Sequence, residues 1–280
     1  MKRPLDEAPR TGGDRMQPML QDRDRQSALQ IWDKLAQFQA SESDAALAFL
    51  IESIAEAIGA DDGFWVGAVR MRHGGAAMQD PQHGWRARAV KLLHPTPTRL
   101  ALSVAGIKEQ DTPQTAMTTI AVAKAAGQFR AIEMRRLVDM KAFRRTAHYR
   151  IFYKSIGITD RIWISFPVNV DTESHFVFDR KRPHRSFTRR QLEFAAYALR
   201  GIAWFHRQAL LSHGLLIARN PLSPMQRKVL ALLLTDASEK GMAHKLDQSF
   251  HTTHTHVREV FRRFGVASRA SLMAVWLNGR

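Results

Sequence analysis

The 280-residue sequence contains no cysteine. That absence removes disulfides, thiolate metal sites, iron–sulfur clusters and thiol redox sensing together. It also fits a reducing cytoplasm, the expected location. No apolar run approaches the roughly 18 residues of a membrane span, and no membrane association is expected. Acidic residues are few: 26 Asp and Glu stand against 42 Lys and Arg, a formal net charge of +16. Catalytic signatures are missing too. His73-Gly74-Gly75 lacks the strand–loop–helix setting and the Lys-Ser/Thr of a phosphate-binding loop. No Gly-x-Ser-x-Gly, His-Glu-x-x-His or spaced carboxylate pair stands out. The early paired acids and regular β/α alternation of a phospho-receiver are absent. No enzyme activity and no cofactor are expected.

What is present is enough for a core, since 45% of residues are hydrophobic. The basic excess suits an anionic partner such as nucleic acid, although solubility alone would also explain it. Met1–Gln26 carries Pro4, Pro9, Gly12, Gly13 and mixed charges, without the apolar core of a signal peptide. It reads as a disordered leader. Residues 27–211 then mix periods. Helices are expected over Ser27–Ala40 and from an N-cap at Ser43 to Gly59. Strands are expected over Gly63–Arg72 and Trp85–Leu93, with a turn at His73-Gly74-Gly75. A helix over Thr112–Ala126, a strand over Arg130–Leu137 and a helix over Met140–Lys154 follow. The alternation of Ile162, Ile164, Phe166 and Val168 predicts a strand over Arg161–Val168, a turn at Asn169–Ser174 and a partner strand at His175–Asp179. Thr188 caps a long helix to about Leu211. The order gives an α+β domain, an antiparallel sheet flanked by helices.

Residues 212–221, with Gly214, Asn220 and Pro221, read as a linker. Everything from 222 to 280 is helical in period, an all-α domain of four helices. Ser223-Pro224-Met225-Gln226 is a capping-box pattern with proline at the first helical position. Ser238 opens a second helix, Ser249 caps a third that Gly265 ends, and Ser268 starts the last. A third helix entered by a tight turn has the layout of a recognition helix. Its faces separate. Thr253, Val257, Val260 and Phe264 face a core, while His251, His254, Thr255, Arg258 and Arg262 form a stripe of donors and cations. This segment holds nine Lys and Arg against four Asp and Glu, a net +5. A helical bundle for protein contacts is the alternative on geometry alone. His251, His254 and His256 also invite a metal reading, but the three do not share a face and no nearby carboxylate completes a site. No metal is expected.

The segment resembles the helix-turn-helix domain of LuxR-type regulators. Leu222-Ser223-Pro224-Met225-Gln226-Arg227-Lys228-Val229-Leu230 is similar to the family opening Leu-Thr-Pro-x-Glu-x-x-Val-Leu. Ala243-x-x-Leu246, then Ser249-x-x-Thr252 and His256, match the second and third helices, and Val260, Arg263, Phe264, Val266, Ser268, Arg269 and Leu272 continue the match. Gln226 and Gly241 replace glutamates, Asp247 replaces the turn glycine, and Thr253-His254-Thr255 replaces Val-Lys-Val. The resemblance implies that His254, Thr255 and Arg258 occupy base-reading positions. The candidate DNA-contacting set is Ser249, Thr252, His254, Thr255, His256, Arg258, Arg262, Arg263 and Arg269. It implies double-stranded DNA as partner, a homodimer, and contact with RNA polymerase.

Residues 27–211 resemble a GAF-like sensor module or the acyl-homoserine-lactone domain of quorum-sensing LuxR proteins, in the arrangement of Arg161–Arg190. The resemblance implies a small-molecule effector. Candidate pocket residues are the aromatics Phe64, Trp65, Trp85, Phe129, Tyr149, Phe152, Tyr153 and Trp163, with ordinary core packing as the alternative for each. The resulting expectation is a regulator whose N-terminal domain controls a C-terminal DNA-binding domain. The alternatives are an acyl-homoserine-lactone-responsive regulator, or an interaction module that no longer reads DNA specifically. Fifteen Lys and Arg against six Asp and Glu between Arg130 and Arg190 give a net +9. That charge suits an anionic ligand, DNA or a solvated face.

Overall fold

A computed structural model of the chain describes residues 20–112, 116–181, 183, 186–218 and 220–278. Most of the expected leader, 1–19, lies outside them. Its last part does not: α1 (Asp22–Leu35) is already helical by residue 22, capped by a reciprocal Gln21–Asp24 box. The helical segment therefore begins earlier than its apolar spacing suggested. Helix α2 (Ser43–Ile58) follows a 3-10 turn at Ala40–Glu42, so Ser43 is the first helical residue rather than the cap. Its C-terminus ends on Gly59 at φ 61°, a left-handed conformation that glycine adopts without steric cost.

The strands are β1 (Asp62–Arg70), β2 (Trp85–Leu92), β3 (Arg130–Glu133), β4 (Ile158–Asn169) and β5 (Thr172–Lys181). They form one antiparallel sheet in the order β2-β1-β5-β4-β3. Between β1 and β2 the expected turn is a short helix, α3 (Gly74–Met78). Helix α4 (Pro97–Glu109) had no expectation. Thr96 caps it and Pro97 opens it, but its mixed apolar content hid the period. The helix expected over Thr112–Ala126 shrinks to α5 (Met117–Lys124). The strand expected to Leu137 stops at Glu133 and turns into α6 (Met134–Leu137). The helix expected over Met140–Lys154 breaks into α7 (Met140–Phe143) and α8 (Ala147–Phe152), because Asp139 and Thr146 each cap a new turn.

Period-two alternation divides the sheet into two working faces. Trp65, Ile162, Ile164, Phe176 and Phe178 pack against α1, α2, α9 (Arg189–Arg200) and α10 (Ala203–Ser212) in the main core. Phe64, Arg161, Trp163, Glu173, His175 and Val177 face the other way, toward α4, α5 and α8.

The long helix expected from Arg189 to Leu211 is broken at Gly201-Ile202. Two side chains explain the break. Trp32 Nε1 donates to Ala198 O at 2.8 Å, and His206 Nε2 donates to Leu199 O at 2.7 Å. Those are the carbonyls that the next amides of a continuous helix would use. A Cβ on residue 201 would also lie 2.4 Å from the Trp32 ring, so this position takes glycine for space.

The expected linker is packed rather than free. Leu211 and Leu222 are buried in the second core, Leu215 in the first, and the Leu222 amide donates to His213 O at 2.9 Å. The C-terminal domain comprises α11 (Pro224–Leu233), α12 (Glu239–Lys245), α13 (Phe250–Phe264) and α14 (Arg269–Asn278) around Val229, Leu230, Leu233, Met242, Val257, Val260, Phe264 and Leu272. It leans on the N-terminal domain through Arg227, which pairs with Asp44 on α2, and through Ala40. No helix among the described residues is long and apolar enough to cross a membrane.

Candidate functional site

The C-terminal domain is built from its caps. Ser223 and Gln226 exchange both bonds of the capping box that starts α11. Ser238 Oγ accepts from the Gly241 amide at the start of α12. Asp247 sits between α12 and α13 at φ 52°, the left-handed turn usually given to glycine. Asp tolerates that geometry because its short polar side chain can bond locally. Ser249 Oγ accepts from the Thr252 amide at 3.1 Å and starts α13.

Helix α13 then presents two sides. Thr253, Val257, Val260 and Phe264 are buried. His251, His254, Thr255, Arg258 and Arg262 are exposed. Arg258 makes no polar contact among the described residues, so its guanidinium is free to meet an acceptor. Other expected contacts are already engaged. His254 Nδ1 lies 2.8 Å from Glu239 Oε2, and Phe250 stacks on its ring. Thr255 Oγ1 donates to His251 O at 3.0 Å. His256 Nδ1 is 3.4 Å from Glu259 Oε2, which also receives Gln226 Nε2. The hydroxyls of Ser249 and Thr252 bond to each other at 2.8 Å.

Two arginines from the candidate set serve the domain itself. Arg263 Nη1 donates to the carbonyls of Asn220 and Pro221, and Arg269 Nη2 to Ala237 O at 2.6 Å. Both pin the loops that flank the helix-turn-helix. Sequence spacing places these side chains near the interface but does not show that a neighbouring carbonyl claims them first.

The second candidate lies between the sheet and α4, α5 and α8, in a cavity of about 220 Å³. Trp85, Tyr153 and Trp163 line it, as expected. Trp65 does not. It alternates onto the opposite face, is fully buried, donates Nε1 to Ser174 Oγ at 2.8 Å and packs 4.7 Å from the His213 ring. Of the other candidates, Phe64 and Phe152 do line the cavity, Phe129 does not, and Val66 joins them from the same strand as Phe64. Tyr149 is also outside the lining; it stacks behind Tyr153 at 5.8 Å.

Charged lining residues went unforeseen. Arg161 grips Asp179 through Nε and Nη2 at 2.5 and 2.9 Å and lies 4.4 Å from the Tyr153 ring centroid. Arg130 binds Glu173 in the same forked way at 2.9 and 2.7 Å. Burial alone would raise the Glu173 carboxyl, but the fork from Arg130 holds it below its ordinary value. His175 Nδ1 meets Ser165 Oγ at 2.8 Å. Burial pushes His175 and His148 down to about 4, so both rings are neutral at pH 7. The available signal was charge within β-patterned segments, at Arg161, Glu173, His175 and Asp179; alternation reads such residues as solvent-facing.

Residues 220–276 match the model of the family described as bacterial regulatory proteins, luxR family. No curated protein matches the chain. Among solved structures, the LBD domain of VqsR from Pseudomonas aeruginosa is 10% identical with a TM-score of 0.44, over 68% of this chain and 98% of that one. SdiA in complex with octanoyl-rac-glycerol is 10% identical with a TM-score of 0.45, over 93% and 96%. Escherichia coli SdiA is 11% identical with a TM-score of 0.39, over 89% and 94%. These are distant likenesses, and the reading of the N-terminal domain rests on its own residues.

Proposed function

We infer that this chain, whose C-terminal domain is a LuxR-family helix-turn-helix domain, is a transcription regulator that binds double-stranded DNA as a homodimer. The carrying observation is α13. Its apolar side is fully committed to the core, while its outer side offers Arg258 unengaged beside Arg262 and His251. A free guanidinium on such a helix can bond guanine through both arms in the major groove. One short helix reads too few bases, so two half-sites are required. Contact with RNA polymerase belongs to the same reading. We assign no enzymatic role.

The N-terminal domain is read as the sensor, because a wedge of empty space lies among ordered polar groups on one face of its sheet. The opposite face leads to the DNA-binding domain. Trp65 and His206 both bond Ser174, and Trp65 packs on His213 beside the segment entering α11. Cavity occupancy would bias how that segment is held, a shift between arrangements of the two domains.

Selection of binding sites from random duplexes by the full chain tests the first part. The expected product is an inverted repeat, bound with a steep loss of affinity as salt rises. Enrichment of no sequence, together with salt-insensitive binding, would sink the DNA-reading role and leave a protein-interaction domain. Filling the cavity with Ala87→Phe tests the second part, and unchanged DNA affinity with or without that substitution counts against sensing.

A further inference from the structure

Arg99 stands in the cavity wall in the first turn of α4, with its side chain 9% exposed. Its guanidinium is short of partners. Nη2 lies 3.4 Å from Asp62 Oδ2 and Nη1 lies 3.5 Å from Asp179 Oδ2. These contacts balance the charge, yet Nε and Nη2 make no hydrogen bond. Both carboxylates are spoken for. Asp179 holds the fork of Arg161, and Asp62 takes Lys181 Nζ at 2.9 Å, with His94 Nδ1 at 3.4 Å. The other wall arginines are better served. Arg130 has Glu173 and the carbonyls of Gln128 and Val122, and Arg86 has Asp80, Asp111 and Trp85 O. Buried N–H groups without acceptors carry a desolvation cost that an incoming oxygen would relieve.

The surroundings favour a charged oxygen over a neutral one. Arg86, Arg130 and Arg161 are already balanced, by Asp80 and Asp111, Glu173 and Asp179, so among the described lining residues the unmet donors of Arg99 are what draw an acceptor. The run of α7, α8 and the turn after it closes this side of the cavity with His148 and Phe152. The outer side of that run exposes Lys141, Arg144, Arg145, Arg150 and Lys154, none with an acidic partner among the described residues. One-signed charge of this kind raises the local concentration of anions.

We propose that the cavity takes a monocarboxylate with an apolar body, its carboxylate bonded to Arg99 and its body against Leu92, Leu102, Phe152 and Trp163. The proposal rests on the sensor reading of the N-terminal domain and names the ligand class. The forked donors of Arg99 match the two oxygens of a carboxylate.

Octanoate and octanamide are near-isosteres that differ in charge, and N-octanoyl-homoserine lactone is a neutral third probe. Calorimetric titration of the full chain is expected to show octanoate binding about ten-fold or more tightly than octanamide, the scale of one charge-assisted bond. Arg99→Met should remove the preference for octanoate over the amide, with the amide, whose carbonyl is a neutral acceptor, losing much less than the acid. Arg99→Lys, which keeps the charge without the fork, should fall between. If Arg99→Met fails to fold, the wild-type comparison of acid with amide decides the matter. Equal affinity, or preference for the amide or lactone, overturns the carboxylate assignment and leaves sensing intact. Binding of none of the three overturns it as well; the response of DNA affinity to Ala87→Phe then says whether sensing itself survives.

Discussion

The two domains use the same residue type in opposite ways. In the N-terminal domain, Arg86, Arg99, Arg130 and Arg161 are buried within the wall of a cavity, three of them in forked or multiple bonds to carboxylates. In the C-terminal domain, Arg258 and Arg262 stand on the surface, and the polar residues buried are only Gln226 and Thr253 among those described. Inward charges must be balanced by the protein, because an unpaired ion in a low-dielectric interior is expensive. Outward charges can be left unbalanced, and a polyanion can then complete them. The contrast predicts that acid and buried-charge substitutions injure the N-terminal domain, while surface substitutions on α13 injure function without injuring the fold.

Acidification should separate the domains most strongly. Burial holds His148, His175, His206 and His213 each at about 4 in the folded chain. Unfolding returns them to an ordinary value near 6.5. The unfolded chain therefore binds more protons between these values. Stability contributed by the neutral rings is intact above pH 6.5 and is lost as pH falls toward 4. Each ring costs about 1.4 kcal/mol per pH unit in that window. Residue-resolved amide exchange at pH 5 should show the sheet opening before α11–α13. Equal opening of both domains would break the comparison.

A smaller but still large effect is expected from Asp179→Ala. It strips the fork of Arg161 and one of the two carboxylates beside Arg99, leaving buried cations. The loss should be about 3–5 kcal/mol in denaturant unfolding. Replacing Arg161 as well, with Met, should recover a large part, since the pair rather than either member is tolerated inside. A loss below 1 kcal/mol would mean that these charges are hydrated in solution.

The same contrast decides what was legible in the sequence. Outward charge on a strongly periodic helix reads directly: Thr253, Val257, Val260 and Phe264 face the core as their spacing requires, and Asp247 takes the left-handed turn. The paired strands around residue 170 read correctly in kind, because Ile162, Ile164, Phe176 and Phe178 alternate cleanly, but the expected turn at Asn169–Ser174 shrinks to 170–171 as the strands extend to Asn169 and from Thr172. Inward charge does not read. Arg161, Glu173 and Asp179 look like the solvent side of a strand until α4 covers them, and α4 itself has no clean apolar stripe. Aromatic character makes Trp65 a candidate for the cavity, but one residue along a strand decides the face, and Trp65 takes the core alternative. The break at Gly201 was hidden because its cause, Trp32, lies 169 positions away.

On the outward side, Arg258→Ala should reduce affinity for the selected duplex by about 1–3 kcal/mol and relax preference at one base position. Thermal unfolding should be unchanged, since this side chain makes no polar contact among the described residues. Arg263→Ala offers the sharper control. Its guanidinium holds the carbonyls of Asn220 and Pro221, so it should lower the stability of the C-terminal domain. If Arg258→Ala destabilises the fold instead, the assignment of that face to an external partner is wrong.

The smallest effect is expected from Trp32→Phe, and it probes whether the two regions are independent. The indole donates to Ala198 O, and its ring occupies the space that a Cβ at Gly201 would need. Phenylalanine keeps an aromatic ring but has no donor, so Ala198 O loses its partner, at about 1 kcal/mol. The Leu199 carbonyl keeps His206, so the break between α9 and α10 should persist. Melting of the N-terminal domain should fall slightly, with DNA affinity unaltered, because α10 still delivers His213 and Leu215 to the same packing. A change in DNA affinity larger than the change in stability would show the reverse: the bend at 201–202 sets how α11 is presented, and the inward-charged domain controls the outward-charged one through that bend.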